Sequence, residues 1–522
     1  MMKRYIIILT TLFVCTTLFA QGEMDAINLS SSDLIGTARG QAMGGAFGAL
    51  GGDVTGILIN PAGLGVYRSS EINLTMGLNS VNMKTDWQNE VNRKNTMRLV
   101  FDNVSYVGYY PLGYKNFPVL NFSFSYNRLK DFNRRYSASG QGMASSLTDY
   151  LAVITNGIKL RDLYEEKGLY DPYSNWKIPW LSVLGRQGGL FDPVENIDSN
   201  DAYTSILFEN EKVNPHLEMN ERGYIESYDF SLGGNFGDKF YWGATFSLTD
   251  LFYHLGSSYT EEFGQREKIG LDNYLESKGS GYQFKLGAIV RPFDFLRLGV
   301  AYHSPTYYNL TDWYQGVTTA VYTPDYLNQS VRTPDNSLTY YRFNTPQNWV
   351  FSLAGVISDK AIISFDYELK DYNNMKMMDT EERPKEDTNG FIVKDFKWAS
   401  TLRAGLELRF TPQFSGRLGY ACVQNPYEKT FKDKDGGKEV QIIGTIPHYI
   451  IGGDVNYYTA GFGYRFASHF YVDVAFVVRT QKEDLYYYPK LFNNQGKPLV
   501  ESTPASVTNS TFKGLVTVGY KF

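Results

Sequence analysis

Segments in which apolar and polar residues alternate with a period of two recur along this chain to its last residue. Each is about as long as an oblique bilayer crossing by a strand requires, roughly 9 to 11 residues. A period of two sends successive side chains to opposite faces of a strand. Tyr282, Phe284, Leu286, Ala288 and Val290 share one face, and Gln283, Lys285, Gly287 and Arg291 fill the other. Trp398, Leu402, Ala404, Leu406, Leu408 and Phe410 likewise oppose Thr401, Arg403, Gly405, Glu407 and Arg409. A soluble sandwich alternates too, with its apolar face closing a core. An apolar outer face over a charged inner face fits lipid outside and a polar lumen inside.

The last segment favours the second arrangement. Phe512, Gly514, Val516, Val518, Tyr520 and Phe522 alternate with Lys513, Thr517, Gly519 and Lys521. This resembles the terminal strand of bacterial outer-membrane proteins, in which Val518, Tyr520 and Phe522 would form the signal read by the barrel-assembly machinery. Fourteen strands are expected, near 70–80, 98–110, 117–129, 223–236, 239–252, 280–291, 295–307, 346–357, 361–372, 395–410, 414–424, 456–466, 469–480 and 510–522. Short connections, such as Gly237-Asp238 and Thr411 to Gln413, alternate with long ones over 81–97, 130–222, 253–279, 308–345, 373–394, 425–455 and 481–509. An up-and-down barrel with short periplasmic turns and long outer loops requires that alternation.

Residues 1–20 have the layout of a secretory signal peptide, with Lys3 and Arg4, an apolar run from Tyr5 to Phe19, and Ala20 before Gln21. After it no run of 18 apolar residues occurs, so the expected exported chain has no spanning helix. Mean hydropathy is -0.32 although 41 Tyr and 34 Phe are present, a combination of aromatic and polar residues typical of strands. Without Lys3 and Arg4 the 50 basic residues become 48 against 55 acidic ones, which excludes a generically basic nucleic-acid binder. Cys422 alone remains after residue 20 and cannot close an internal disulfide. A closed barrel, with every backbone group paired, supplies stability instead.

The largest loop, 130–222, holds more apolar surface than an exposed loop needs. Leu147, Leu151, Ile154 and Ile158 recur at helical spacing. Beyond them lie Ile178, Trp180, Leu181, Val183, Leu184, Leu190 and Phe191. Such residues either pack the loop onto itself and the rim, or form a hydrophobic capture groove for a ligand.

Residues 21–68 do not alternate. They are rich in small residues, among them Gly44, Gly45, Gly48, Gly51 and Gly52, and then carry Asp53 and the run Asn60-Pro61-Ala62-Gly63-Leu64. Small residues allow tight turns and close backbone approach inside a confined lumen. A fourteen-stranded barrel is too wide for wall side chains to fill, so a plug is expected there. The run Ala42-Met43-Gly44-Gly45-Ala46-Phe47, with Asp53 and Asn60-Pro61-Ala62-Gly63-Leu64 after it, resembles the N-terminal hatch of the FadL family of outer-membrane transporters for long-chain fatty acids and other hydrophobic compounds. The resemblance is close over residues 38–66. It implies an all-β transmembrane antiparallel barrel whose N-terminal hatch plugs the lumen, and passive, diffusion-driven uptake without energy coupling. Ligand would be caught at an outer groove, move to a site in the barrel, and leave sideways through a kink in the third strand. The third strand here, Leu120 to Tyr126, alternates without Gly or Pro, a departure from the family pattern.

The domain plan is therefore a signal peptide (1–20), a hatch (21–68) and a barrel (69–522) in the outer membrane, acting as a monomer with a hydrophobic small molecule and membrane lipid as partners. No enzyme is expected. His216, His254, His303, His448 and His469 lack metal-ligand spacing, and no cofactor motif is present. Asp433-Lys434-Asp435-Gly436 only faintly matches a calcium loop. Two other readings stand beside uptake. One is a binding or scaffold barrel for adhesion or secretion, using Tyr-rich outer loops; the other is a polar porin, using inward charges such as Asp366, Glu368, Arg403, Glu407, Asp473 and Arg479.

Overall fold

A strand facing lipid on one side and a wet lumen on the other must pair both edges, and closure into a barrel does this for every strand at once. The computed structural model describes residues 22–522 apart from 115, 176, 265–266, 323–328, 336, 359, 433–439, 443, 467–468, 494 and 496. The expected signal peptide and the Asp433–Gly436 run lie outside the described residues.

Fourteen antiparallel strands form the wall. They are β1 (Glu71–Trp87), β2 (Glu90–Pro111), β3 (Val119–Asp131), β4 (Val213–Phe236), β5 (Phe240–Phe263) and β6 (Glu267–Phe293), followed by β7 (Leu296–His303, continued by Tyr307–Tyr322). Then come β8 (Leu338–Asn344, continued by Asn348–Ile357), β9 (Ala361–Asp371), β10 (Trp398–Arg409), β11 (Phe414–Val423), β12 (Tyr449–Arg465), β13 (Phe470–Tyr486) and β14 (Ala505–Lys521). The ring closes between β14 and β1, from Glu71 opposite Lys521 to Asp86 opposite Ser506. Outward positions such as Ile72, Leu74, Phe230, Leu232, Phe351 and Val518 are exposed, while inward Asn73, Thr75, Asp229, Ser231 and Asp366 are buried. All fourteen expected strands are present, at their expected periplasmic ends.

At the other end most strands run farther than expected, whereas β9, β10 and β11 end where the alternation placed them. The connections read as loops over 81–97 and 253–279 are continuations of the wall: β1 and β2 pair out to Trp87 opposite Glu90, and β5 and β6 to Phe263 opposite Glu267. Gln88 and Asn89, at φ 50° and 71°, make the two-residue turn whose twist suits a hairpin. The early stop in the reading has a physical cause. Below Ser227 on β4 the apolar residues Phe230 and Leu232 face out; above it Leu217, Met219 and Ile225 are buried while Glu218, Asn220 and Arg222 face out. Polarity inverts where the strand leaves lipid, because the outside is then wet and the inside holds a packed core.

Residues 22–67 lie within the ring. They form α1 (Glu23–Leu29), α2 (Ala38–Ala42), α3 (Val54–Ile59) and a 3₁₀ turn at Pro61–Val66. The largest connection carries a short strand, Arg134–Ser139, laid on β4, then α4 (Leu147–Thr155) and α5 (Trp180–Gln187). Ser146 starts α4 by accepting from Thr148 N at 3.0 Å, and Asp149 accepts in turn from Ser146 N at 2.9 Å, a capping box. A further helix, α6 (Glu386–Asp395), lies in the connection after β9.

Candidate functional site

Each residue of the N-terminal run has a local task. Gly44 and Gly45 sit at φ 64° and 73°, and a Cβ on Gly44 would stand 2.8 Å from the carbonyl oxygen of Tyr420 on β11. Only a bare backbone approaches the wall that closely in that conformation. Gly44 N donates to Thr459 Oγ1 at 3.1 Å, and Asp366 accepts from Phe47 N and Gly48 N at 2.9 and 3.0 Å. Asp53 starts α3, accepting from Thr55 N at 2.9 Å and Thr37 Oγ1 at 2.8 Å.

Asn60 joins three parts of the molecule. Its Nδ2 donates to Gly48 O at 2.7 Å and to Ala288 O on β6 at 3.2 Å, while its Oδ1 accepts from Ala62 N at 3.1 Å. Pro61 begins the 3₁₀ turn, where its fixed φ suits a helical start. Ala62 packs on Tyr241 and Ile289, and Gly63 lies against Gly51, with 3.1 Å between Gly51 Cα and an imagined Cβ. Leu64 is fully buried with Val54, Ile57 and Leu58, and its carbonyl accepts from Asn121 Nδ2 at 2.8 Å. Arg39 grips Glu407 on β10 with two bonds of 2.8 and 3.0 Å, and Glu407 also accepts from Arg417 Nε at 2.7 Å.

On the outer side of this segment lies a cavity of about 360 Å³, bounded by Met24–Leu34, the inner wall and residues around Gln441–Tyr449. That volume is in the range of small-molecule sites. Ile27, Phe132, Met219, Tyr253, Leu255 and Leu275 give it an apolar lining. Charged residues line it as well, and most are matched. Lys130 meets Asp33 at 3.0 Å, Arg134 meets Glu483 at 2.9 Å, Lys370 meets Glu368 at 3.6 Å, and Lys513 pairs with Asp102. Burial would raise the Asp33 carboxyl, but Lys130 and Arg479 hold it below its ordinary range, so the pair is ionised. At the start of α1, outside the cavity lining, burial pushes Glu23 up to about 8, with Asp395 and Asp25 adding to the shift.

The wall beside this cavity is interrupted. Leu120 to Tyr126 pair with both neighbours, as their alternation requires. The β2–β3 ladder then stops at Asn103 opposite Asn127, and above it Glu90–Asp102 has no ladder partner on that side among the described residues. The β3–β4 register shifts between Arg128 and Lys130. Val100 and Asp102 on one side of the break, and Arg128, Lys130 and Asp131 on the other, all line the cavity. The glycine missing from the third strand stands on its neighbour. Gly223 of β4 adopts φ 132°, accepts from Phe132 N at 3.1 Å, and leaves no room for a Cβ, which would meet Phe252 O at 2.0 Å.

Other expected site residues are placed elsewhere. Leu181, Val183, Leu184, Leu190 and Phe191 are fully buried in the core of the largest loop, and Trp180 lies between Tyr173, edge to face at 4.9 Å, and Tyr314, tilted at 5.0 Å. None of the six lines the cavity. They form packing where an open capture groove was one of two expectations. Val518, Tyr520 and Phe522 face outward from β14, all exposed. The cavity residues Phe132, Tyr253, Leu255 and Leu275 fall in stretches read as loops; inverted alternation was the signal that could have found them.

A family model described as outer membrane protein transport protein (OMPP1/FadL/TodX) matches residues 243–507, half of the chain. The chain belongs to this family. It is accordingly an outer-membrane β-barrel. Solved structures agree on the fold. A FadL homologue from Pseudomonas aeruginosa is 14% identical with a TM-score of 0.51, covering 94% of this chain and 100% of its own. A mutant of the TodX monoaromatic hydrocarbon channel is 12% identical at 0.52 over 94% and 100%. The P. putida toluene transporter TodX is 12% identical at 0.50, over 94% and 99%. No curated protein sequence matches the chain.

Proposed function

We propose that this protein admits small hydrophobic molecules by diffusion, with residues 22–67 as the plug that closes the lumen and the break between β2 and β3 as the exit. The observation that carries this reading is the reach of the cavity to both sides of that break. A ligand leaving there enters the membrane without crossing the plugged lumen, and nothing in the path demands an energy source. The matched charges argue for the class of ligand. Lys130, Arg134, Lys370 and Lys513 each face a carboxylate. Arg479 lines the cavity without a direct ion pair among the described residues but lies in the field of Asp33 and Glu483. At the four paired cations an anionic head would have to displace a carboxylate, leaving it buried and unpaired, which is costly. This favours uncharged molecules, such as monoaromatic hydrocarbons, over long-chain fatty-acid anions.

Liposomes holding the purified barrel test this directly. Toluene and the methyl ester of a long-chain fatty acid should enter faster than into empty liposomes, and the ester should enter faster than the free acid. Equal entry with and without protein would sink uptake; faster entry of the free acid would sink the preference for neutral ligands.

A further inference from the structure

Above the lipid-facing band, four adjacent strands present one row of outward side chains across the sheet. Lys482 on β13 lies opposite Thr508 on β14, Thr508 opposite Lys84 on β1, and Lys84 opposite Arg93 on β2. The three cations are exposed, and none has a carboxylate within ion-pair distance among the described residues. Elsewhere above the band Lys278 meets Glu276 at 3.2 Å and Arg342 pairs with Glu382, while Arg222 stands unmatched among the described residues but alone. Leaving three unmatched cations side by side costs stability through mutual repulsion, so the row fits an external anion.

The rows beneath fix its depth. Directly below stand Thr480, Ser510, Asn82 and Asn95, hydrogen-bonding and uncharged. Next come Val478, Phe512, Ser80 and Met97, and then Phe476, Gly514, Leu78 and Leu99, whose large members are exposed. Successive rows are two residues apart, about 6.6 Å along a strand. At a barrel tilt of about 40°, Lys482 stands roughly 10 Å above Val478 and Arg93 roughly 10 Å above Met97, each measured along its own strand. That is the outer part of the headgroup layer, and their long stems reach back into it. Asp86 and Asp484 stand one row farther out.

We propose that this row binds the phosphates of a phosphorylated glycolipid of the outer leaflet. Its acyl chains would lie on Val478, Phe512, Met97 and the rows below, and its sugars on Thr480, Ser510, Asn82 and Asn95. The intervening polar row selects the glycolipid. In a phospholipid the phosphate follows the acyl esters directly and would fall short of the cations, whereas a sugar ring spans that gap. The row lies on the outer wall alone, apart from whatever passes through the barrel.

The test compares the purified full barrel with the triple variant Lys84→Gln, Arg93→Gln, Lys482→Gln and with a control, Lys278→Gln, Arg342→Gln. Bisphosphorylated lipid A, its dephosphorylated form and phosphatidylglycerol are offered in detergent, and bound lipid is measured by native mass spectrometry. Each cation near a lipid surface contributes about fivefold in affinity, so the triple variant should bind lipid A about a hundredfold more weakly, and the control should bind like the wild type. Dephosphorylated lipid A and phosphatidylglycerol should bind the wild type no better than lipid A binds the triple variant. Equal lipid A binding by wild type and triple variant, equal binding of the dephosphorylated form, or equal binding of phosphatidylglycerol would each overturn the proposal.

Discussion

Replacing Asn60 by Ala removes the side chain that ties the turn at Pro61, the loop at Gly48 and the wall at Ala288 together. The carbonyl of Gly48 and the N–H of Ala62 are both buried, so neither gains a water partner in exchange. A neutral hydrogen bond contributes about 1 kcal/mol net, and a buried group left without its partner costs roughly 1–3 kcal/mol. The two fully buried bonds dominate, because the contact to Ala288 is only partly buried. The seated segment is therefore weakened by about 2–4 kcal/mol relative to a displaced one, which raises the displaced-to-seated ratio roughly thirty- to several-hundredfold. The barrel itself loses a single weak contact on β6 and keeps its ladders. Planar-bilayer recording should show open events far more often in the variant, and limited proteolysis should cut within residues 22–60 sooner. The heat-induced shift in electrophoretic mobility that reports barrel unfolding should stay where it is. Unchanged conductance and proteolysis would refute the plug reasoning. An equal loss of heat stability would show instead that Asn60 serves the barrel.

Three further outcomes follow from the same geometry. Glu23 is held near 8 in the folded state against an ordinary value of 4.5, so seated α1 prefers the protonated carboxyl; its seating is fully supported below about 4.5 and is lost as pH rises through about 8. Protection factors at α1, corrected for the base-catalysed intrinsic exchange rate, should be higher at pH 5 than at pH 9. Because burial and Asp312 raise Asp25 to about 8 as well, Glu23→Gln should reduce the difference and Glu23→Gln with Asp25→Asn should abolish it; equal wild-type protection factors at both values would count against it. Phe191→Ala empties a fully buried site and should cost about 3–5 kcal/mol locally, seen as faster proteolysis of the largest loop, whereas a ligand-contact role would lower uptake with the loop intact. Phe522→Ala leaves the backbone bonds between Phe522 and Ser70, each 3.0 Å, in place. Folding in detergent should be unaffected while insertion in cells falls; normal cellular levels would dismiss the assembly-signal role.

The barrel could be read from residues alone because lipid imposes a local rule. Any residue such as Phe230 or Val518 that faces hydrocarbon must be apolar, and its neighbours Asp229 and Thr517 face a polar lumen, so sequence position decides the face. The run from Gly44 to Leu64 was legible for a similar reason, since its turns and caps are made within a few residues. The cavity, the break in the wall and the cationic row belong to the tertiary structure. Where the strands leave the membrane the rule inverts, so Leu255 and Leu275 look like loop residues until a core forms over them. Gly223, at φ 132°, stands on β4 beside the third strand, and Lys84 meets the row begun by Lys482 only when β14 closes on β1. These features depend on which strand stands beside which. Alternation along one strand does not encode that, because every strand obeys the same pattern.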